Sequence, residues 1–401
     1  MNPITDMQSG TDSCEHLGTG PVSTEPYTSP DYFELERERI FRRTWLSVGR
    51  VQEIPSGGDF FVRNIAAAKC SILVIRGRDD VIRAFHNVCS HRGNKVVWRD
   101  AGNCRHLTCN FHGWVYGLDG ALRGVPDESQ FFDFDKKKHG LAEVALEIWE
   151  GFIFVNLSPK PDPTLAEHLG ALGKSISGWP FEELTNCFRH TVEINCNWKI
   201  ATNVFQEGYH VPFVHNSTVP DSAAGPKNPF CRPVGMRFYD LHSVISFYRN
   251  PEPRLNEIDR IVSKHGPGYR NRTVTLGKLP PGVNPARAND WGFDSNTVFP
   301  NFVVHLWGNG TYNTFTFWPI AVDRTILETR SYSKPPRTAG ERFGREYNRI
   351  VLRSALTEDV ATLEQVQPMI ESGAKSHFIL QRTEAAIRHH YQVVDRFVRA
   401  G

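Results

Sequence analysis

The sequence predicts an α+β protein in two parts: a small all-β domain over residues 45–158, and a larger domain over 165–401 in which strands and helices mix. Three observations carry this. Short β-branched and aromatic runs follow one another from Gly58 to about Ser158, broken by turn signals at Gly77–Asp80 and Leu118–Gly120. The Pro-rich SPKPDPT (158–164) then reads as a linker. Beyond it the pattern alternates between strand and helix, and it is helical from Ala339 to the end. A chain of 401 residues is long enough for two hydrophobic cores.

The elements follow in order. Residues 1–30 are polar and rich in Gly, Ser, Thr and Pro, an arm that together with the next helix (1–44) should pack on the larger domain. That helix opens at SPDYFELERERIF, with Ser29 as N-cap and Pro30 at the first helical position. FFVRNI, SILVIRG, VIRAFHNV and IWEGFIFVNL read as strands of the small domain. After the linker, RHTVEINCN is strand-like and WKIATNVFQEGYHVPFVH is helical until Pro212 disrupts it. Residues 216–300, full of Pro and Gly, are expected to be long loops that wall a pocket. FVVHLW and NTFTFWPIAV flank Gly308-Asn309-Gly310 as a hairpin, and RTILETRSYS adds a strand. The last segment sets Phe343, Tyr347, Ile350 and Val351 on one helical face, with His377, His389 and His390 expected at the surface of the C-terminal helix. Cys187 and Cys196 read as core residues.

Composition excludes several functions. Hydrophobic residues make up 40% and charged ones 22%, ordinary for a soluble protein, and the net charge of +2 gives no case for nucleic acid or a membrane surface. No run approaches the roughly 20 apolar residues of a membrane span. MNPITDMQSG lacks the basic and apolar regions of a secretory signal, so a cytoplasmic location is expected. The eight cysteines are then structural thiols or metal ligands rather than disulfide partners.

Four histidines and three cysteines crowd into HNVCSHRGNKVVWRDAGNCRHLTCNFHGW, 86–114. Cys89-x-His91 is followed after 17 residues by Cys109-x2-His112. A structural zinc site commonly pairs Cys with Cys and His with His; here each loop supplies one of each. That suits a [2Fe-2S] cluster with both Cys on one iron and both His on the other, whose neutral imidazoles raise its potential above an all-Cys cluster. Gly93 and Gly113 let the loops turn tightly, and Trp114 and Tyr116 shield the cluster. Cys104-x-His106 repeats the spacing too close to Cys109 and reads as packing, as does His86.

A second cluster lies at Glu207, His210 and His215, spaced E-x2-H-x4-H. Two histidines from one segment plus a distant carboxylate make the facial triad of mononuclear non-haem Fe(II). Taken alone the spacing fits two core or surface histidines as well. Candidate carboxylates are Glu358, Asp359 and Glu364 in LTEDVATLEQVQ, where Thr357 could N-cap a helix.

CSHRG…CNFHGW resembles the Rieske signature, and the whole chain resembles the catalytic α subunits of Rieske non-haem iron oxygenases, the ring-hydroxylating family. The resemblance implies an antiparallel sheet covered by helices for the larger domain. It also implies cluster ligands Cys89, His91, Cys109 and His112, with iron ligands His210, His215 and Asp359. Asn203 matches a polar position near the metal. Glu207, where Asp is usual, matches the carboxylate that links His112 of one subunit to His210 of its neighbour in a head-to-tail homotrimer. Thr202 stands where an acidic residue is frequent. Cofactors implied are the [2Fe-2S] cluster, Fe(II) and O2 as co-substrate, with NAD(P)H only indirect, because no nucleotide-binding motif is present. Partners implied are a small-molecule substrate and a ferredoxin or flavin reductase, with a small β subunit optional. Phe205, Val211, Phe213, Trp307, Phe315 and Phe317, with His305 at their edge, suggest a pocket for a hydrophobic or aromatic compound. The outcome could be monohydroxylation, dihydroxylation or demethylation. An electron carrier without oxygenase activity and a zinc-binding regulatory protein are the alternatives.

Overall fold

A computed structural model describes residues 11–265 and 274–400. The opening MNPITDMQSG and residues 266–273 of the loop-rich stretch lie outside the described residues. The chain divides into two compact units, one running from Arg37 to His168, the other joining the segment that ends at Glu36 to everything from Leu169 onward.

The N-terminal segment holds β1 (Val22–Ser23), α1 (Glu25–Thr28) and α2 (Pro30–Glu36). As expected, Ser29 Oγ accepts the Tyr32 N–H at 3.2 Å and Pro30 starts α2. The 37–168 unit is built of β2 (Leu46–Arg50), β3 (Asp59–Ile65), β4 (Cys70–Arg76), β5 (Ile82–His86), β6 (Ala101–Asn103), β7 (Leu107–Thr108), β8 (Val115–Tyr116), β9 (Leu122–Gly124), β10 (Glu143–Trp149) and β11 (Phe152–Asn156). Seven of these strands form a sheet in the order β2-β11-β10-β5-β4-β3-β6, and β7-β8-β9 form a small second one. Phe60, Leu73, Ile75, Phe85 and Tyr116 pack between them, together with Cys89 and Cys109.

The larger unit continues with α3 (Leu165–Ile176), β12 (Asn186–Ile194), α4 (Trp198–Asn203), α5 (Val211–Val214), β13 (Gly235–Phe238), β14 (Ser243–Tyr248), α6 (Glu257–His265), β15 (Trp291–Val298), β16 (Phe302–Trp307), β17 (Tyr312–Ala321), β18 (Arg324–Ser333), α7 (Ala339–Glu371), β19 (His377–Phe378) and α8 (Ala385–Arg399). The order β12-β18-β17-β16-β15-β14-β13 is antiparallel throughout. Leu356, Leu363 and Ile370, on one face of α7, join Ile200 of α4 and Phe315, Phe317 and Leu327 of the sheet in one core. Burial of each such side chain contributes about 1.5–3 kcal/mol. Glu36 at the end of α2 accepts the Trp198 indole N–H at 2.9 Å and pairs with Lys199; all three are fully buried, which ties the N-terminal segment to α4.

Five expectations need correction. The stretch 216–300 contains three strands and a helix rather than loops alone. Its strand β15 was hidden because it buries polar residues: Asp294 accepts from Ser246 Oγ (2.6 Å), Trp291 Nε1 (2.8 Å) and the Asn284 N–H (2.7 Å). Burial still pushes that carboxyl up to about 6. Pro212 does not end a long helix. The helix already stops at Asn203, and Pro212 sits in the first turn of the separate α5, where no N–H is needed. Thr357 caps nothing, since α7 begins eighteen residues earlier with Thr338 as its N-cap and Thr357 Oγ1 bonds back to the Arg353 carbonyl. His389 and His390 are buried in α8 instead of exposed, packed on Phe238 and Trp198, and His377 is on β19 rather than a helix. Cys187 is exposed, whereas Cys196 is buried as expected.

Candidate metal centres

The first centre sits between two loops of the same construction. The Gly93 N–H bonds to the Cys89 carbonyl at 3.0 Å, and the Gly113 N–H to the Cys109 carbonyl at 3.0 Å. Both glycines lie four residues after their cysteine with φ of 74° and 72°, a conformation that side-chain-bearing residues rarely adopt. Each loop therefore folds back on its cysteine and presents its histidine beside it. The two imidazole rings lie 4.5 Å apart, and His91 stacks on Trp114 at 4.9 Å. Cys89 and Cys109 are buried while His112 is exposed, so the histidine side faces outward.

Donors surround the sulfurs. Tyr116 Oη lies 3.2 Å from Cys89 Sγ, and Asn94 Nδ2 donates toward Cys109 Sγ at 3.7 Å. Burial raises the Cys89 thiol above its ordinary value. Burial opposes ionisation of Cys109 too, but the Phe111 N–H and the Asn94 amide outweigh it and bring that thiol below its ordinary value. His91 Nδ1 is buried with no hydrogen-bond partner. A buried ring nitrogen without a partner, in a ring 4.5 Å from a second imidazole and on a loop that begins at one of two buried thiols, fits a metal cluster held between the loops. Cys104 packs at the edge of the core and His106 is exposed, so neither joins the set.

The second centre brings His210, His215 and Asp359 together, with one potential ligand atom from each within 4.8 Å of the others. Asp359 Oδ1 lies 3.1 Å from His215 Nε2 and 3.7 Å from His210 Nε2. The other nitrogen of each ring is held by a carboxylate: His210 Nδ1 by Glu207, and His215 Nδ1 by Glu358 at 2.9 Å. This fixes both rings with Nε2 aimed at Asp359, the outer support that metal-binding histidines need. Burial disfavours charge on His215, yet Asp359 and Glu358 override it and raise its pKa. Two imidazoles and a carboxylate converging from one side fit a metal ion with open positions on the other.

Glu207 does more than hold His210. Its second oxygen accepts the N–H groups of Tyr209 and His210, closing the turn between α4 and α5. Gly208 within that turn has no room for a side chain, because a Cβ would lie 2.6 Å from the Cys231 carbonyl. Asn203 is not brought to the centre. It ends α4, donates to Tyr27 Oη at 3.5 Å and does not line the cavity beside the triad.

That cavity, about 220 Å³, runs from the triad between α7 and the sheet. Phe205, Val211, Trp307 and Phe315 line it as expected; Phe213 is exposed outside it, and Phe317 is buried in the core behind it. His305 lines the wall and also bonds to Ser295 Oγ at 3.1 Å, and burial pushes its pKa down to about 3, leaving a neutral ring. Sequence reasoning missed Phe247 and Phe293, hidden in the stretch read as loops, and the supporting role of Glu358. The signal for Glu358 was its place next to Asp359 on a helix, where adjacent side chains diverge.

Comparison with known proteins points to the same two kinds of cofactor. A family model for the ring hydroxylating alpha subunit (catalytic domain) matches residues 181–400, and one for the Rieske [2Fe-2S] domain matches residues 44–144. The chain is 29% identical over 318 residues to the glycine betaine monooxygenase oxygenase subunit of Pseudomonas aeruginosa (strain UCBPP-PA14), covering 76% of this chain and 71% of that one. It is 35% identical over 204 residues to the large oxygenase component of the naphthalene 1,2-dioxygenase system of Pseudomonas aeruginosa, covering 47% and 43%. The fold matches a crystal structure of a quaternary ammonium Rieske monooxygenase with a TM-score of 0.77 at 20% identity, over 96% of this chain and 98% of that one. With the catalytic-domain model spanning more than half its length, the chain belongs to the ring-hydroxylating alpha-subunit family: it is the oxygenase component of a Rieske non-haem iron system, with a [2Fe-2S] cluster and a mononuclear iron as cofactors and a reductase or ferredoxin as electron source.

Proposed function

We propose that this oxygenase binds its cluster through Cys89, His91, Cys109 and His112 and its iron through His210, His215 and Asp359, and that it oxidises a hydrophobic or aromatic small molecule. The observation that carries the reading is the convergence of both Nε2 atoms on Asp359 at the end of an aromatic-lined cavity. When bound, the two centres supply electron storage and dioxygen activation. The chain's own residues do the rest. Phe205, Phe293, Phe315 and Trp307 exclude water and hold the substrate beside the triad, while Glu207 and Glu358 fix the ligand rings.

Glu207, bonded to His210 Nδ1, would also connect that iron-holding ring to the cluster-bearing face of a neighbouring copy. Tyr209, Phe213 and Phe230 form an exposed aromatic patch beside it, with Tyr209 5.8 Å from Phe213 and 6.3 Å from Phe230. Exposed Phe111 and Trp98 flank the cluster loops. Such patches on a soluble chain mark contact surfaces, and a homotrimer lets each cluster face meet the next copy's Glu207. A second substrate reading, a quaternary ammonium compound, is favoured by the glycine betaine relative and by an aromatic wall able to hold a cation.

Iron and acid-labile sulfide per chain, measured on anaerobically purified protein, test the assignment. About three irons with two sulfides are expected, falling to about two irons with two sulfides in His215→Ala. Zinc without sulfide would refute it.

A further inference from the structure

We propose that the end of the cavity remote from the triad is a carboxylate site, so that the substrate is an elongated organic acid with its apolar end at the metal and its carboxylate on Arg345. This rests on the reading above for which end reacts. The cavity follows α7 for four turns, lined successively by Asp359, Leu356, Leu352, Arg349 and Arg345. Fourteen positions separate Arg345 from Asp359, which at 1.5 Å per residue is about 21 Å of helix. A compact molecule seated at the triad would leave most of that length empty.

Among the described residues that line the cavity, the one carboxylate is Asp359, already engaged with the histidines, while Arg249, Arg345 and Arg349 supply three guanidinium groups. Arg349 is committed: it bonds to both carboxylate oxygens of Glu346 at 2.7 and 2.8 Å and lies 3.5 Å from the centre of the Phe188 ring. Arg345, one turn earlier and partly buried, makes no direct hydrogen bond or ion pair with any described residue; Glu346 and Glu341, which do not line the cavity, act on it only through space. Phe188 beneath Arg349 brings the paired ends of β12 and β18 alongside, where Asn186 and Ser333 offer further N–H and O–H donors.

An Arg fork that no carboxylate of the cavity wall bonds, with neutral donors on the wall beside it, recognises a carboxylate. The apolar, aromatic stretch between it and the triad fits a hydrocarbon or aryl chain. A cationic group at this end would face two guanidiniums. Charge-assisted hydrogen bonding of this kind is worth roughly 10- to 100-fold in affinity.

The test uses 8-phenyloctanoate and its methyl ester as probes, titrated calorimetrically into the metal-loaded protein without reductant. The acid is expected to bind about 10- to 100-fold more tightly than the ester. Arg345→Ala should bring the acid to the ester's affinity and leave the ester unchanged, with Arg345→Lys recovering part of the preference. Arg345 is on a partly exposed helical position and Ala is the strongest helix former, so the variant folds, which a thermal melt verifies. Equal affinities of acid and ester, binding of neither, or an acid preference that survives Arg345→Ala would overturn the proposal. Because no turnover is read, such a failure leaves the iron and sulfide count standing, and a failed count leaves the acid preference measurable.

Discussion

Glu358→Ala should weaken iron binding by about 10- to 100-fold without touching a ligand of the triad. His215 is 6% exposed and its Nδ1 meets Glu358 Oε2 at 2.9 Å. Removing the carboxylate leaves that N–H unpaired in a buried place and frees the ring to rotate its Nε2 away from Asp359. A hydrogen bond to a charged group contributes about 1.5–3 kcal/mol, which is the same range expressed as energy. Ser217 and Thr218, which also donate to Glu358, lie near the surface and can turn to water, so they add little. Anaerobic Fe(II) titration against a competing chelator reads the loss, with the sulfide content as an internal count of folded protein. Glu358→Gln keeps an acceptor and should fall between. Wild-type affinity in Glu358→Ala would refute the orienting role. Loss of all iron there, with iron retained in Asp359→Ala, would show that the neighbouring acids had been assigned the wrong way round.

Lys199→Met should destabilise the fold by about 3–5 kcal/mol in urea unfolding, because it strands the fully buried Glu36, and adding Glu36→Gln should recover most of it. Acid should destabilise the larger unit through its neutral buried histidines. Burial pushes His305 and His390 down to about 3 and His389 to about 4, so only the unfolded chain takes up protons between the ordinary value near 6.5 and those values. Stability is fully present above about pH 6.5 and falls below it, by roughly 1.4 kcal/mol per histidine at pH 5.5, about 4 kcal/mol for the three; a pH-independent melting temperature from pH 7.5 to 5.5 would contradict this. Cys104→Ser should leave the visible absorption and the iron and sulfide content unchanged, whereas Cys109→Ser should abolish the cluster.

The cluster loops were legible because all their information is local. A cysteine, a histidine and a glycine within five residues, twice over, already dictate a loop that folds back on its own thiol, and the structure repeats one hydrogen bond in both. The candidate iron site was legible only in part. His210 and His215 share a turn and helix of their own, but Asp359 approaches from a helix more than 140 residues away, and no local rule separates it from Glu358. Resemblance named Asp359, and only three dimensions showed that its neighbour supports His215.

The residues that were misread share a physical cause: polarity in the sequence stood for burial paired with a partner. Asp294 looks like a loop residue until its three donors are seen, and His389 and His390 look like a solvated helix face until they are found docked on aromatic rings as neutral imidazoles. Glu207, which the sequence did single out, shows the same pairing of a polar group with partners at the centre itself. One oxygen takes His210 Nδ1 while the other takes two backbone N–H groups, so a single side chain both closes the turn and aims the ligand. Aspartate, a methylene shorter, has less reach for both tasks at once. This glutamate is thus tied to the backbone geometry of its turn, and the turn in turn depends on Gly208, where the Cys231 carbonyl leaves no space for any larger residue.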